Sequence, residues 1–354
     1  MAGREKLTVT NLLMAQAAAP LTRFFDTPTK LLLGIVFGLL VIALLGIYAL
    51  RRQPESFVNP AVRRTFELRV RAWCMMFAIL VAGFTLGSSG TVVLFGLVSF
   101  WALREYITMT PTRPADHKTL FWALFFFTPA QYLLVGWGEQ WGTQNAYLYG
   151  SFSVLIPVYA SLLIPTSIAI SGDEKRFLER TAKIQVGLLI CVYSLSYAPA
   201  ILNLQLYQDK DHQVLWQGSQ AGLLFYFVLL VQLGDIFQYG WGKLVGRRVI
   251  APKINSSRTW EGLIGGVATT AMIAALLWKV TPFRFLEAAC MGVVVAIMGF
   301  AGGMTMSAIK RDRGVKDYGT LVQGHAGVLD RIDSLCFAAP VFFHFAIHRP
   351  FLWT

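Results

Sequence analysis

The chain has 354 residues, of which 55% are hydrophobic and only 14% charged, against roughly 25% charged in a soluble domain. Its apolar runs are about 20 residues long and continuous, which excludes a soluble globular protein and argues against a transmembrane barrel of short alternating strands. The net charge of +12 reads as basic loops facing anionic headgroups, because the basic residues are scattered over several loops and no DNA- or RNA-binding motif accompanies them.

The first 30 residues mix polar and apolar positions without the short apolar core and small-residue site of a cleavable signal, so an interfacial segment is expected there. A single membrane domain is expected over 31–354. Candidate spans fall near 31–50, 72–87, 91–107, 119–136, 147–170, 184–204, 220–239, 262–280, 284–308 and 334–350, which makes an all-α polytopic bundle of 9–10 membrane helices. Between the second and third runs lies Gly87-Ser88-Ser89-Gly90. The two runs together are too long for one span, so a tight helical hairpin is expected. The four cysteines (Cys74, Cys191, Cys290, Cys336) lie in or beside apolar runs with no C-x-x-C pair and read as buried small hydrophobes.

Ten spans alternate so that loops 51–71, 108–118, 171–183, 240–261 and 309–333 share one side, and all carry basic residues. The other side (87–90, 137–146, 205–219, 281–283) carries Lys210 as its only Lys or Arg. Positive-inside statistics make the basic side cytoplasmic. The N-terminal tail, with Arg4, Lys6, Arg23 and Lys30, then falls outside, against the charge rule, and leaves the first span the weakest of the ten.

The stretch Ser307–Ser334 concentrates the chemistry. It holds Lys310, Arg311, Arg313, Lys316 and Arg331, the acids Asp312, Asp317, Asp330 and Asp333, and His325. So many charges cannot face lipid, so the stretch is a surface loop or a polar pocket inside the bundle. Asp330 and Asp333 are three apart and share a helix face. With Asp317 they suit a hard divalent cation of the Mg²⁺ type, which keeps part of its coordination shell for phosphate oxygens. Lys310, Arg311, Lys316 and Arg331 suit the phosphates themselves. A salt-bridge network beneath a helical hairpin is the other reading of the same residues.

A second basic loop spans 234–262. Asp235, at the end of an apolar run, is a functional candidate by its position. Lys253 and Arg258, beside the hydroxyls of Ser256, Ser257 and Thr259, point towards phosphate or nucleotide contact, whereas Arg247 and Arg248 fit topology and headgroup contact. Glu261 is either a ligand or part of a helix start.

These two stretches resemble the signature of the phosphatidate cytidylyltransferase (CDP-diglyceride synthase) family. Ser307-Ala-Ile-Lys310-Arg311, Lys316-Asp317-Tyr-Gly319 and His325-Ala-Gly327-Val-Leu-Asp330-Arg331-Ile-Asp333 keep its spacing throughout. Lys243-Leu-Val-Gly246, Ala251-Pro252-Lys253 and Thr259-Trp260-Glu261-Gly262 resemble its upstream motif. Departures are Gln323 for a proline, Ala326 for the first glycine after the histidine, and Asn255-Ser256-Ser257-Arg258 for S-P-x-K. The first half agrees only in being helical membrane, with Trp101 and Glu105 near a span end.

The resemblance implies transfer of CMP from CTP to phosphatidic acid, giving CDP-diacylglycerol and pyrophosphate, with a catalytic half at about 220–334. It implies one or two Mg²⁺ ions on Asp317, Asp330 and Asp333, with Asp235 as a further ligand or as a residue that supports the ligands; a helix-to-helix hydrogen bond is the other reading of Asp235. Phosphate contacts would come from Lys310, Arg311, Lys316 and Arg331. Lys253, Ser256, Arg258 and Thr259 would meet CTP or the lipid phosphate. His325 is a phosphate donor or a structural hydrogen bonder. A multi-pass protein of the bacterial inner membrane is implied, with its active site on the cytoplasmic side, and a homodimer is compatible with the family. The alternatives are a CTP-dependent kinase of a polyprenol or phytol type of lipid and, less well supported by charges clustered at one face, a transporter.

Overall fold

The computed structural model describes residues 26–52, 60–110, 112–137, 146–204, 218–315 and 327–347. Its helices are α1 (Thr27–Arg52), α2 (Pro60–Thr85), α3 (Gly87–Met109), α4 (Pro114–Gly136), α5 (Leu148–Ile170), α6 (Phe177–Asn203), α7 (Gln220–Leu244), α8 (Trp260–Leu276), α9 (Phe285–Asp312) and α10 (Leu329–Ile347). Seven of them (α1, α3 to α7 and α9) are long and apolar enough to cross a membrane. The Cys74–Thr85 part of α2 and the whole of α8 are shorter apolar helices. Each expected run coincides with a helix among the described residues, and the all-α membrane bundle stands. One antiparallel pair of short strands interrupts it, β1 (Val249–Ala251) and β2 (Asn255–Thr259).

The chain reverses between α2 and α3. Leu86 alone separates them, and Gly87 adopts φ +77°, a conformation that costs glycine no Cβ clash. A Cβ at Gly83 would lie 2.6 Å from Leu94 Cδ2, so the two arms lie side by side as a hairpin. Several boundaries differ from expectation: residues 88–90 already belong to α3, α6 begins at Phe177 and α10 at Leu329, and the largest shift is at α2. Residues 60–71 were expected in a loop but continue α2 outward, started by Pro60 at the first helical position, where its missing N–H costs nothing.

Side-chain links between loops follow the alternation. At one end Arg113 Nη1 meets Asp173 at 2.9 Å, and Arg180, 4% exposed, reaches both Asp173 and the buried Asp116. These join loops 108–118 and 171–183. Arg113 holds the Asp173 carboxyl below the usual carboxylate range, chiefly by its hydrogen bond. At the other end Asn203 Nδ2 donates to Val135 O at 2.9 Å, and the hydroxyls of Thr29 and Ser219 lie 3.1 Å apart. The start of α1 therefore sits with the weakly basic loops, where ten spans require it.

Apolar side chains gain little by leaving hydrocarbon for a protein interior, so helix association in a bilayer rests on close packing and interhelical hydrogen bonds. Both are visible. Phe227 of α7 packs on Phe342 of α10 with ring centroids 4.8 Å apart, and Tyr226 donates to Ala274 O of α8. Gly292 lets α9 approach α8 closely, since a Cβ there would come within 3.0 Å of Thr270 O. Cys191 and Cys336 are buried, whereas Cys74 is half-buried and Cys290 exposed, so the expected burial of the cysteines holds for two of the four.

Helices α4, α5 and α6 each contain a π-helical segment: Ala123–Phe127, Leu155–Ala160 and Leu189–Ser194. Carbonyls loosened in lipid must find donors. Thr128 Oγ1 donates to Ala123 O, Ser161 Oγ to Ile156 O, and Ser99 Oγ of α3 to Cys191 O.

Candidate active site at one end of α7, α9 and α10

Asp235 lies two-thirds of the way along α7, whose last turns carry it past the apolar run to Leu244. The chain then folds back through β1 and β2. Gly242 and Gly246 make this return possible, because a Cβ at Gly246 would meet Gly242 O at 2.2 Å and Thr259 Oγ1 at 2.7 Å. Thr259 ends β2 and caps α8, its Oγ1 accepting from Gly262 N at 3.1 Å; an extended N-cap threonine satisfies one of the helix's orphan amides in this way. Glu261, in the first turn of α8, accepts from the backbone N–H groups of Arg247 and Arg248 and so ties that turn to the approach to β1.

The return brings Arg258 back onto α7. Its Nη2 lies 2.9 Å from Asp235 Oδ1, and its Nη1 donates to Gln238 Oε1 at 2.8 Å. Gln238 is 3% exposed, and its Nε2 donates to Ala296 O of α9 at 2.9 Å. A polar residue one turn beyond Asp235 inside an apolar run was the only sequence signal for Gln238. Arg258 also lies 6.0 Å from the ring centroid of Phe300 on α9.

Helix α9 faces this group with glycine. A Cβ at Gly303 would start 3.2 Å from Arg258 Nη2 and 3.9 Å from Asp333 Oδ2. A Cβ at Gly302 would meet the backbone oxygen of Asp333 at 2.5 Å. Asp333 is thus pressed onto α9 beside Arg258, within electrostatic reach of Asp235 and Lys310. Its Oδ1 accepts from Ser334 N at 2.7 Å. Asp330, one turn earlier on α10, accepts from Lys310 Nζ at 2.5 Å and from Gly327 N at 3.0 Å. Asp330 and Asp333 therefore share the face of α10 that packs on α9.

The hairpin is tied to the end of α9. Asn255 Nδ2 donates to Ser307 Oγ at 3.2 Å, and Arg311 Nε donates to Ile254 O at 3.2 Å. Lys253 and Ser256 are exposed on the hairpin, and Arg331 is half-buried on α10. Lys316, Asp317 and His325, with the departures at Gln323 and Ala326, lie outside the described residues.

Among the described residues no group of three or more His, Cys, Asp or Glu side chains is close enough to hold a metal ion. Asp235 and Asp333 nevertheless supply the right kind of donor, carboxylate oxygens from two helices meeting beside one guanidinium, and Mg²⁺ needs only one or two carboxylates when phosphates complete its shell. The arrangement pairs acids that suit a hard cation with cations that suit phosphate oxygens, at one end of three packed helices.

Comparison with known proteins bears on the same segments. Residues 67–348 match the model of the cytidylyltransferase family. The chain belongs to this family. Over 88% of its length it is 38% identical to the uncharacterized protein YnbB of Escherichia coli, covering 96% of that protein. It is similar to phosphatidate cytidylyltransferases of Haemophilus influenzae, 38% identical over 35% of this chain and 45% of that one, and of Pseudomonas aeruginosa, 40% identical over 34% and 46%. The match to these enzymes thus spans under half of their length. Asp235, Arg258, Lys310, Asp330 and Asp333 all fall within the matched residues; Lys310, Asp330 and Asp333 stand at positions that keep the family pattern, Arg258 at a departure from it, and Asp235 upstream of the motif that begins at Lys243.

Proposed function

We propose that the chain transfers CMP from CTP to phosphatidic acid, releasing pyrophosphate and forming CDP-diacylglycerol, with Mg²⁺, at the cytoplasmic surface of the bacterial inner membrane. The observation that carries this reading is the meeting of Asp235, Arg258 and Asp333 around Gly303, next to the Lys310–Asp330 pair. The names of the partly matching relatives support the substrates, and the basic loops gathered on one side by the alternation support the face.

The chemistry asks little of a general base, because the lipid phosphate is already ionised at neutral pH. One of its oxygens attacks the α-phosphorus of CTP. The bond from that phosphorus to the bridging oxygen breaks, and pyrophosphate leaves with the electron pair. The protein's task is to align two polyanions and to meet the charge that builds on the leaving group. Asp235 and Asp333, with Asp317 and Asp330 completing the candidate set, would hold the cation, which neutralises polyphosphate charge when bound. Arg258 keeps Asp235 in place and offers its remaining donors to a phosphate. Lys310, fixed by Asp330, lies on the same face of α9. Lys253, Ser256, Arg311, Lys316, Arg331 and His325 are the further phosphate contacts of this reading, and Thr259 anchors the hairpin that presents them.

The test uses purified protein in detergent with Mg²⁺, phosphatidic acid and CTP labelled separately at the α- and γ-phosphates. Label from the α position in lipid, with pyrophosphate released, supports cytidylyl transfer. Label from the γ position in an added polyprenol replaces it with a lipid kinase. No transfer to phosphatidic acid or to other lipid phosphates overturns both.

A further inference from the structure

Glu105 lies on α3, in the half of the chain that carries neither signature stretch, yet it ends at the start of α10. It is 5% exposed. Its Oε1 accepts from Val328 N at 3.1 Å and its Oε2 from Leu329 N at 2.9 Å. The first amides of a helix have no partner within it and form its positive end. Here Asp330 of the same helix takes Gly327 N, and a carboxylate more than 200 positions away in sequence takes the next two. A side chain at Gly327 would displace this carboxylate, because a Cβ there would lie 2.4 Å from Glu105 Oε2.

The amides of Gly327, Val328 and Leu329 are taken by carboxylates of the protein itself. The height and rotation of α10 at its first turn are thereby set by α3, and that turn carries Asp330 and the following one Asp333. Without Glu105, the amides of Val328 and Leu329 would be buried without acceptors, and the turn would shift or fray to reach water.

We propose that Glu105 is a positioning residue for the transfer reaction: by clamping the start of α10 it holds Asp330 against Lys310 and Asp333 against Gly303, so the first half of the chain sets the geometry of the site. The proposal rests on the cytidylyltransferase reading for its kinetic consequence but not for its structural one.

The experiment compares the full-length wild type with Glu105→Gln, Glu105→Asp and Gly327→Ala in detergent. Glu105→Gln keeps the shape but sets an amide NH₂ against a backbone N–H. A shift of the order of 1 Å at a reacting centre can cost about 100-fold. The expected result is a kcat lower by about that factor, with KM for CTP within about twofold because both Glu105 oxygens are spent on backbone amides. Glu105→Asp keeps the charge and should recover part of the loss. Amide hydrogen exchange at Val328 and Leu329 should rise in Glu105→Gln while α9 is unchanged. Gly327→Ala, which pushes the carboxylate away from the opposite side, should reproduce both effects and covers the case in which Glu105→Gln does not fold. A kcat within about twofold of wild type, or unchanged exchange at the two amides, overturns the proposal. If the wild type transfers no label, the functional reading fails, and the exchange measurement still decides whether Glu105 clamps α10.

Discussion

Arg258 reaches Asp235 at 2.9 Å from a β-hairpin, not from a neighbouring helix, and its second terminal nitrogen takes Gln238 one turn further along α7. The guanidinium meets the two acceptors from two separate nitrogens, a fork that an ammonium does not possess. Arg258→Lys should therefore keep the charge and still lose activity, by about 10²-fold in kcat if charge stabilisation at the phosphates depends on this geometry. Arg258→Ala should lose at least as much. Steady-state transfer of label from α-labelled CTP checks both, and a fully active Arg258→Lys enzyme would show that charge alone suffices.

Lys310 and Asp330 are 14% and 6% exposed at their side chains. Removing one partner of a part-buried pair gives up its charge-assisted hydrogen bond and leaves the other charge less well compensated, at a cost of about 1.5–3 kcal/mol. Lys310→Met should lower the thermal midpoint of the protein in detergent, and Lys310→Met with Asp330→Leu should recover much of it. Neither variant should recover label transfer. Activity returning with stability in the double variant would assign the pair a purely structural role.

Gly302 faces the backbone oxygen of Asp333 at a distance that no Cβ tolerates. Backbone cannot rotate away as a side chain can, so Gly302→Ala must push α10 off α9. Overpacking of this kind costs about 1–3 kcal/mol. The expected outcome is a lower thermal midpoint together with a lower kcat, whereas Gly38→Ala, which meets nothing within 4 Å, should change neither.

Asp173 carries a pH dependence of known sign. Its carboxyl is held below the usual carboxylate range, first by the hydrogen bond from Arg113. A depressed folded value means that the group stabilises the fold above the unfolded value of about 3.9 and loses that contribution as pH falls through the folded value. Thermal midpoints measured in detergent should be insensitive to this group between about pH 5 and 7 and decline below about pH 4. Asp173→Asn should lower the midpoint at neutral pH and flatten the decline.

The sequence was most readable where the physics is one-dimensional. The length and apolarity of runs located helices α1 to α10, and counting basic loops set their alternation, because insertion into a bilayer leaves few choices. The acids Asp330 and Asp333 were legible as one helix face for the same reason. Contacts that depend on a chain reversal were not. Nothing local says that Arg258 returns to Asp235, that Thr259 spends its hydroxyl on a helix cap, or that Asn255, one of the departures from the family pattern, ties the hairpin to Ser307. Glu105 stood out only as a point of resemblance, since its two partners are backbone amides and leave no trace in side-chain chemistry.

The π-helical segments of α4, α5 and α6 carry a consequence for anyone counting along those helices. Each π turn adds about one residue to a turn of 3.6, so residues beyond it are rotated by roughly 100° relative to a regular helix. A helical wheel drawn through Leu155–Ala160 would put on the lipid side positions that point inward, and the reverse. Cysteine labelling with a membrane-restricted reagent along each of these helices should therefore show a periodic pattern whose phase jumps once, at mid-span, where hydropathy alone has no feature to mark it.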